Sequence, residues 1–202
     1  MLKDWKNSDI NVESLWLLDS RGKSGKHSNV YHGNFIPQIP NQLIRRYTGE
    51  GETVLEIFSG SGTTLFECET LNRNYIGFDI NSEIINSVLQ QMENVKNIHF
   101  SLNSCDVTNN SAFDIAAKKI IKSHGINSAQ FLIAHPPYMD IVKFTELEGD
   151  LSNIADLDLF LEKLVSSFCN ALAFLDKERY FAVVIGDVYK KSEVVPLGFY
   201  VW

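Results

Sequence analysis

Four short stretches carry the side chains and intervals from which a small-molecule site is built. Gly60-Ser61-Gly62 lies between an apolar run ending at Phe58 and the pair Thr63-Thr64, and glycines there let the backbone double back and come close to a ligand. Asp79 follows Gly60 by 19 residues, near the interval at which a carboxylate holds ribose hydroxyls; the same residue could instead cap the next helix. Asp106, in Asn103-Ser-Cys-Asp106, stands where an adenine edge would be read in the neighbouring crevice, or else is a turn residue. His135-Pro136-Pro137-Tyr138 sets a rigid loop and an aromatic ring after another apolar run. Several chemistries lack their residues. A phosphate-cradling loop would need Gly-Lys-Ser/Thr, and no Lys follows Gly62. A dinucleotide fingerprint would want Gly or Ala at position 65, which is Leu. Gly60-Ser-Gly62 is too short for a serine-hydrolase elbow, and no His/Cys/Asp/Glu cluster has zinc spacing.

These stretches must be held by regular elements, and the apolar periodicity supplies them. Strands are predicted over Thr53–Phe58, Tyr75–Ile80, Asn97–Leu102, Ala129–Ala134 and Arg179–Ile185. Between them, helices are predicted over Thr63–Asn72, capped by Thr63 or Thr64, and from Asn81 or Ser82 with the stripe Ile84, Ile85, Val88, Leu89 and Met92. Two more run from Phe113 to His124 and from Leu157 to Leu175. Strands alternating with helices imply a parallel α/β sheet with right-handed crossovers, whose ligands sit beyond the carboxyl ends of the strands. The glycine turn, Asp79, Asp106 and the Pro-Pro pair all fall at such ends.

Composition sets the bounds. A chain of 202 residues with 45% hydrophobic and 21% charged residues is one globular domain, neither disordered nor fibrous, and no apolar run approaches a membrane span. Net charge is −7, split as +2 over residues 1–50 and −9 over 51–202. Arg21-Gly-Lys23-Ser-Gly-Lys26-His27 is a basic, glycine-rich loop that could meet phosphate or simply be solvated. The acidic stretch 140–162 would repel a polyanion unless it faces away. Cys68, Cys105 and Cys169 show no C-x-x-C pairing, which fits a reducing cytoplasm with all three packed as small hydrophobes.

Three of these stretches together resemble a known family. Glu56-Ile-Phe58-Ser-Gly60-Ser61-Gly62-Thr63-Thr64 is similar to the S-adenosylmethionine motif of the DNA amino-methyltransferases, which act on N6 of adenine or N4 of cytosine and write it Asp-Pro-Phe-x-Gly-Ser-Gly-Thr-Thr. Upstream, His32-Gly-Asn-Phe35-Ile-Pro37-Gln-Ile-Pro40 resembles their segment that closes over the methionine end of the cofactor. His135-Pro136-Pro137-Tyr138 resembles their catalytic Asp/Asn/Ser-Pro-Pro-aromatic loop. The resemblance implies a Rossmann-like fold with Phe35, Pro37, Glu56, Phe58, Gly60, Ser61, Gly62, Thr63, Thr64, Asp79, Ile80 and Asp106 around S-adenosylmethionine, and no metal. It implies DNA as partner and a prokaryotic enzyme of restriction-modification type, nucleoid-associated when bound; the charge distribution points to Arg21, Lys23 and Lys26 of the basic loop as the contacts. The cofactor half is expected over 31–110 and the catalytic half over 129–202, after an extension of 30 residues. The family sheet has seven strands against five predicted here, so the expectation is a chain lacking its last strands, or one completed by a second copy or subunit.

The amino nitrogen of a base is a poor nucleophile because its lone pair is delocalised into the ring. Two acceptors can hold its hydrogens and favour a pyramidal nitrogen; by resemblance these are the Pro136 carbonyl and the side chain at 135, with Tyr138 stacking on the flipped base. His135 departs from the family pattern. A neutral imidazole with a bare nitrogen can still accept, so at an ordinary pKa of about 6.5 the rate should fall on acidification. A neutral acceptor resembles Ser more than Asp, which leans the target to cytosine N4. Glu56, replacing Asp, is expected to keep a negative charge near the cofactor. The rivals are an RNA guanine-N2 methyltransferase and a weakly active cofactor-binding subunit.

Overall fold

All five side chains of β1 (Thr53–Ile57) are buried, as befits a strand covered on both faces. In the computed structural model, which describes residues 8–27, 33–190 and 192–202, β1 is the centre of a parallel sheet. It lies between β2 (Asn74–Asp79) and β4 (Ala129–Ala134), with β3 (Phe100–Ser104) beyond β2 and β5 (Leu175–Val183) beyond β4. His32 of the upstream motif and the expected boundary at residue 30 lie outside the described residues.

Alternation along the strands divides the interior into two cores. Val54, Tyr75 and Phe131 meet Ile44 of α1 (Gln38–Tyr47), Leu65 of α2 (Thr63–Thr70) and Val88 of α3 (Ser82–Met92) on one face. Leu55, Phe78 and Leu132 meet Phe113 of α4 (Asn110–Ser123) and Phe160 and Leu164 of α5 (Leu157–Leu172) on the other. Each such side chain contributes roughly 1.5–3 kcal/mol by leaving water. With helices on both faces, the strand order reverses between β2 and β4 about β1, which opens a crevice at the carboxyl ends of β1 and β4.

Several boundaries differ from the expectations, each for a physical reason. β3 starts at Phe100, not Asn97, because Asn97 turns aside to donate to the Glu69 carbonyl and the Asn72 side chain. α5 stops at Leu172 and β5 begins early at Leu175, because the polar run Asp176–Arg179 is tied to the edge of β4: Asp176 takes the Ser128 hydroxyl and the Gln130 amide, and Arg179 Nε donates to the Gln130 carbonyl at 2.8 Å. α1 was not foreseen. Its Pro40 sits in the first turn, where a backbone N–H has no helical acceptor and none is missed. α2 is capped by Gly62 and not by Thr63 or Thr64: both threonines are buried inside its first turn. Asn81 caps α3 as expected, accepting from the N–H groups of Glu83 and Ile84. After β5, a hairpin of β6 (Val188–Lys190) and β7 (Glu193–Val195) leads to the short α6 (Leu197–Val201). Cys169 is exposed rather than packed. Among the described residues, no helix is long and apolar enough to cross a membrane.

Candidate active site

Beyond β1 the chain enters the left-handed region three times within five residues, at Phe58 (φ +63°), Gly60 (+47°) and Gly62 (+79°). Glycine is required at 62, where a Cβ would lie 2.8 Å from Val88 Cγ1 in a conformation that side chains disfavour. Phe58 bears that conformation with a side chain, a backbone strain of the kind that clusters at functional sites. The turn is pinned from β2: Asp79 Oδ2 accepts the Gly60 N–H at 2.7 Å, and its Oδ1 accepts the Asn81 N–H at 2.9 Å. Burial pushes the Asp79 carboxyl up, while these donors pull it back. Asp79 therefore lines the crevice and organises the turn at once, and the cap of α3 falls to Asn81 instead.

The crevice holds a cavity of about 130 Å³ that opens to solvent. Phe58, Gly60, Ser61, Thr63, Asp79 and Ile80 line one end, and Phe35 and His135–Tyr138 line the other. Asp106 also lines it and is a turn residue as well: its Oδ1 accepts from the Thr108 N–H and hydroxyl at 2.8 and 2.7 Å. Glu56, Gly62, Thr64 and Pro37 do not line it. Pro37 stands before α1, on a separate polar groove. Glu56 points into the core, wholly buried, where Thr64 and Tyr75 both reach it through their hydroxyls at 2.5 Å. Burial raises its pKa to about 8, so it is neutral at pH 7 and supplies no charge to the cleft.

His135 corrects a second expectation. Its ring is partly buried, packed against Phe35 with centroids 4.6 Å apart, and desolvation lowers its pKa to about 4. The imidazole is thus neutral across the whole working range rather than titrating near 6.5. Its Nε2 lies 3.0 Å from the Tyr138 hydroxyl, which the Gly186 N–H also approaches. Asp140 is drawn away from the loop by Lys190 of β6, with both oxygens 2.6 Å from Nζ.

Residues that the sequence did not single out form the far wall. The acidic stretch after Tyr138 folds back over the cleft, bringing Ile141, Val142, Phe144 and Gly149–Leu151 to it. Asp150 fixes this segment by accepting from Thr145 and from the Ser152 N–H at 2.7–2.8 Å. Gly149 packs so closely on the Asp106 carboxylate that a Cβ would collide with it. Of the basic side chains in this loop, only that of Lys23 is exposed. Arg21 donates to the carbonyls of Asn34 and Phe35, and Lys26 pairs with Glu69 of α2. Among the described residues, no cluster of three or more His, Cys, Asp or Glu side chains is placed to hold a metal ion.

The strand order, the glycine turn and the acid at the end of β2 define a Rossmann-like α/β domain. Its fold is similar to that of TrmN from Thermus thermophilus, with a TM-score of 0.51 at 15% identity over 81% of this chain and 48% of that one. Residues 2–90 match the family model described as DNA methylase. It is 41% identical over 84 residues to the Type II methyltransferase M.MjaII of Methanocaldococcus jannaschii, covering 39% of this chain. It is 34% identical over 120 residues to the Type II methyltransferase M.BamHI of Bacillus amyloliquefaciens, covering 58% of this chain. The matched stretches span 16% and 27% of the length of those two relatives. The His135–Tyr138 loop lies beyond the 2–90 match.

Proposed function

We propose that this chain methylates an exocyclic amino nitrogen of a DNA base, with S-adenosylmethionine as donor. One observation carries the reading: the glycine turn with Asp79 and the His135–Tyr138 loop, 75 residues apart between Gly60 and His135, share a single cleft. The family match and the Type II methyltransferase relatives support DNA as substrate. The residues present fit the cofactor. Asp79 keeps lone pairs for ribose hydroxyls beyond its two N–H partners, Ile80 and Phe58 offer apolar surface to a purine ring, and Asp106 offers an acceptor for its amino edge. When bound, it supplies the methyl group to be transferred.

The chain's own residues hold the nucleophile. The Pro136 carbonyl and the imidazole of His135 accept the two hydrogens of the base amino group, and the Pro-Pro backbone keeps both acceptors placed. For Nδ1 to accept, Nε2 must carry the ring proton and donate to the Tyr138 hydroxyl, 3.0 Å away. A neutral acceptor at 135 favours cytosine N4 over adenine N6. Mass spectrometry of nucleosides from DNA co-expressed with the protein tests this: N4-methylcytosine is expected, and N6-methyladenine alone overturns the choice of base. An unmodified DNA pool, with cofactor binding intact, would favour a cofactor-binding subunit.

The partly buried imidazole also sets a pH profile. His135 loses its acceptor only as pH falls through about 4, so the single-turnover rate should stay flat in this respect from pH 6 to 8.5. A rate that halves near pH 6.5 would show that His135 titrates as a solvated residue.

A further inference from the structure

Arg21 lies in the basic loop, yet its guanidinium faces the protein. Nη1 donates to the Phe35 carbonyl at 3.0 Å and is 3.3 Å from that of Asn34. The chain on either side is stitched to α1: Gln38 Nε2 donates to the Ser20 carbonyl at 2.5 Å, and its Oε1 accepts the Gly22 N–H at 3.0 Å. Further along the loop, Lys26 pairs with Glu69, and His27 Nε2 lies 2.6 Å from Glu67 Oε1. Glu67 Oε2 accepts from Asn41 Nδ2 at 2.7 Å, and the His27 and Glu67 side chains are only 5% and 8% exposed. Residues 20–27 are therefore anchored on α1 and α2 by a run of polar contacts, the His27–Glu67 pair among them buried, which a loop waiting for phosphate would not need.

The two carbonyls that Arg21 holds belong to the residues bridging the two ends of the cleft. Asn34 Nδ2 reaches Ser61 Oγ in the glycine turn at 3.3 Å, and the Phe35 ring lies on His135. We propose that Arg21 is a positioning residue: by bridging the Asn34 and Phe35 carbonyls it fixes the wall that sets Phe35 against His135, so the loop clasps the cleft rather than gripping nucleic acid. The proposal rests on the cofactor-binding reading for its consequence, though not for its geometry. A guanidinium presents several N–H donors in one rigid plane and can span two successive carbonyls, whereas a lysine ammonium is a point charge on a flexible stem. Lys23, exposed in the same loop, remains as its phosphate contact.

The test compares Arg21→Ala, Arg21→Lys and Lys23→Ala with the parent chain. Hydrogen–deuterium exchange over residues 33–38 is read without ligand. Affinity for S-adenosylhomocysteine is read by calorimetry, and DNA affinity is read as a function of salt. Arg21→Ala should raise exchange over 33–38 and weaken S-adenosylhomocysteine about tenfold, with the salt slope of DNA binding unchanged. Arg21→Lys keeps the charge but should recover only part of the affinity. Lys23→Ala should lower the salt slope by about one without touching exchange at 33–38. The clasp is overturned if exchange over 33–38 in Arg21→Ala matches the parent chain, or if Arg21→Lys restores full affinity while Arg21→Ala lowers the salt slope. Raised exchange in a protein whose parent form binds no S-adenosylhomocysteine would sustain the clasp and sink the cofactor reading instead.

Discussion

Asp79→Ala should weaken S-adenosylhomocysteine binding about a hundredfold, the equivalent of roughly 3 kcal/mol. The carboxylate has two tasks, and alanine ends both. It takes the N–H groups of Gly60 and Asn81 at 2.7 and 2.9 Å, so its removal leaves two half-buried donors without their partner, at about 1–3 kcal/mol each where water cannot replace it. Freed from Asp79, the left-handed turn at Gly60 no longer holds one geometry, and the acceptor for ribose hydroxyls is gone. Asp79→Asn separates the two tasks. An amide keeps one acceptor oxygen but aims its NH₂ at a backbone donor, so affinity should fall between the parent and the alanine variant. Calorimetry with S-adenosylhomocysteine, beside a thermal melt, reads both effects. Binding by Asp79→Ala within threefold of the parent would remove Asp79 from the site.

That Asp79 could be found from spacing, while other parts of the site could not, has a physical basis. β1 and β4 are largely buried on both faces, so they are written as mostly apolar runs and are placed to within a residue. The first half of β5 carries Asp176-Lys177-Glu178-Arg179, whose hydrogen bonds to β4 and to Glu52 are invisible to hydrophobic periodicity. β6 and β7 are three residues each, too short to show a period. The His135–Tyr138 loop and the glycine turn could be read because each is local in sequence. The wall at 141–151 could not, since its role comes from the chain folding back so that Gly149 meets Asp106, 43 positions earlier. The same holds for Arg21 and Lys26: charge suggested phosphate, whereas their partners are backbone carbonyls and a carboxylate elsewhere in the chain. The pKa of His135 was misjudged because burial under Phe35 is a tertiary fact.

Glu56 is the clearest case of a motif residue whose chemistry lies on the far side of its strand, and it carries a large pH effect. In β1 it alternates with Leu55 and Ile57, so it joins the face covered by α1–α3. Its register partner on β2 is Gly77, and the absent side chain there leaves room for the Tyr75 ring to lie across the strand and reach the carboxyl; a Cβ at 77 would strike that ring. The group ionises near 4.5 in the unfolded chain and near 8 in the fold. Stability from the neutral acid is therefore fully present below about 4.5 and is lost as pH rises through 8, by as much as roughly 5 kcal/mol. Glu56→Gln preserves the shape, can accept from Thr64 and donate to the Tyr75 oxygen, and has nothing to ionise. Denaturant melts of the parent should thus lose stability steadily between pH 5 and 9, while Glu56→Gln follows a much flatter course and overtakes the parent at alkaline pH. Parallel curves for the two proteins would mean that the carboxyl is solvated or charged in the fold. Because Thr64 lies in the first turn of the helix that follows the glycine turn, the same titration should loosen S-adenosylhomocysteine in the parent above pH 8 and spare the glutamine variant, a coupling between core and cleft that runs through one hydroxyl.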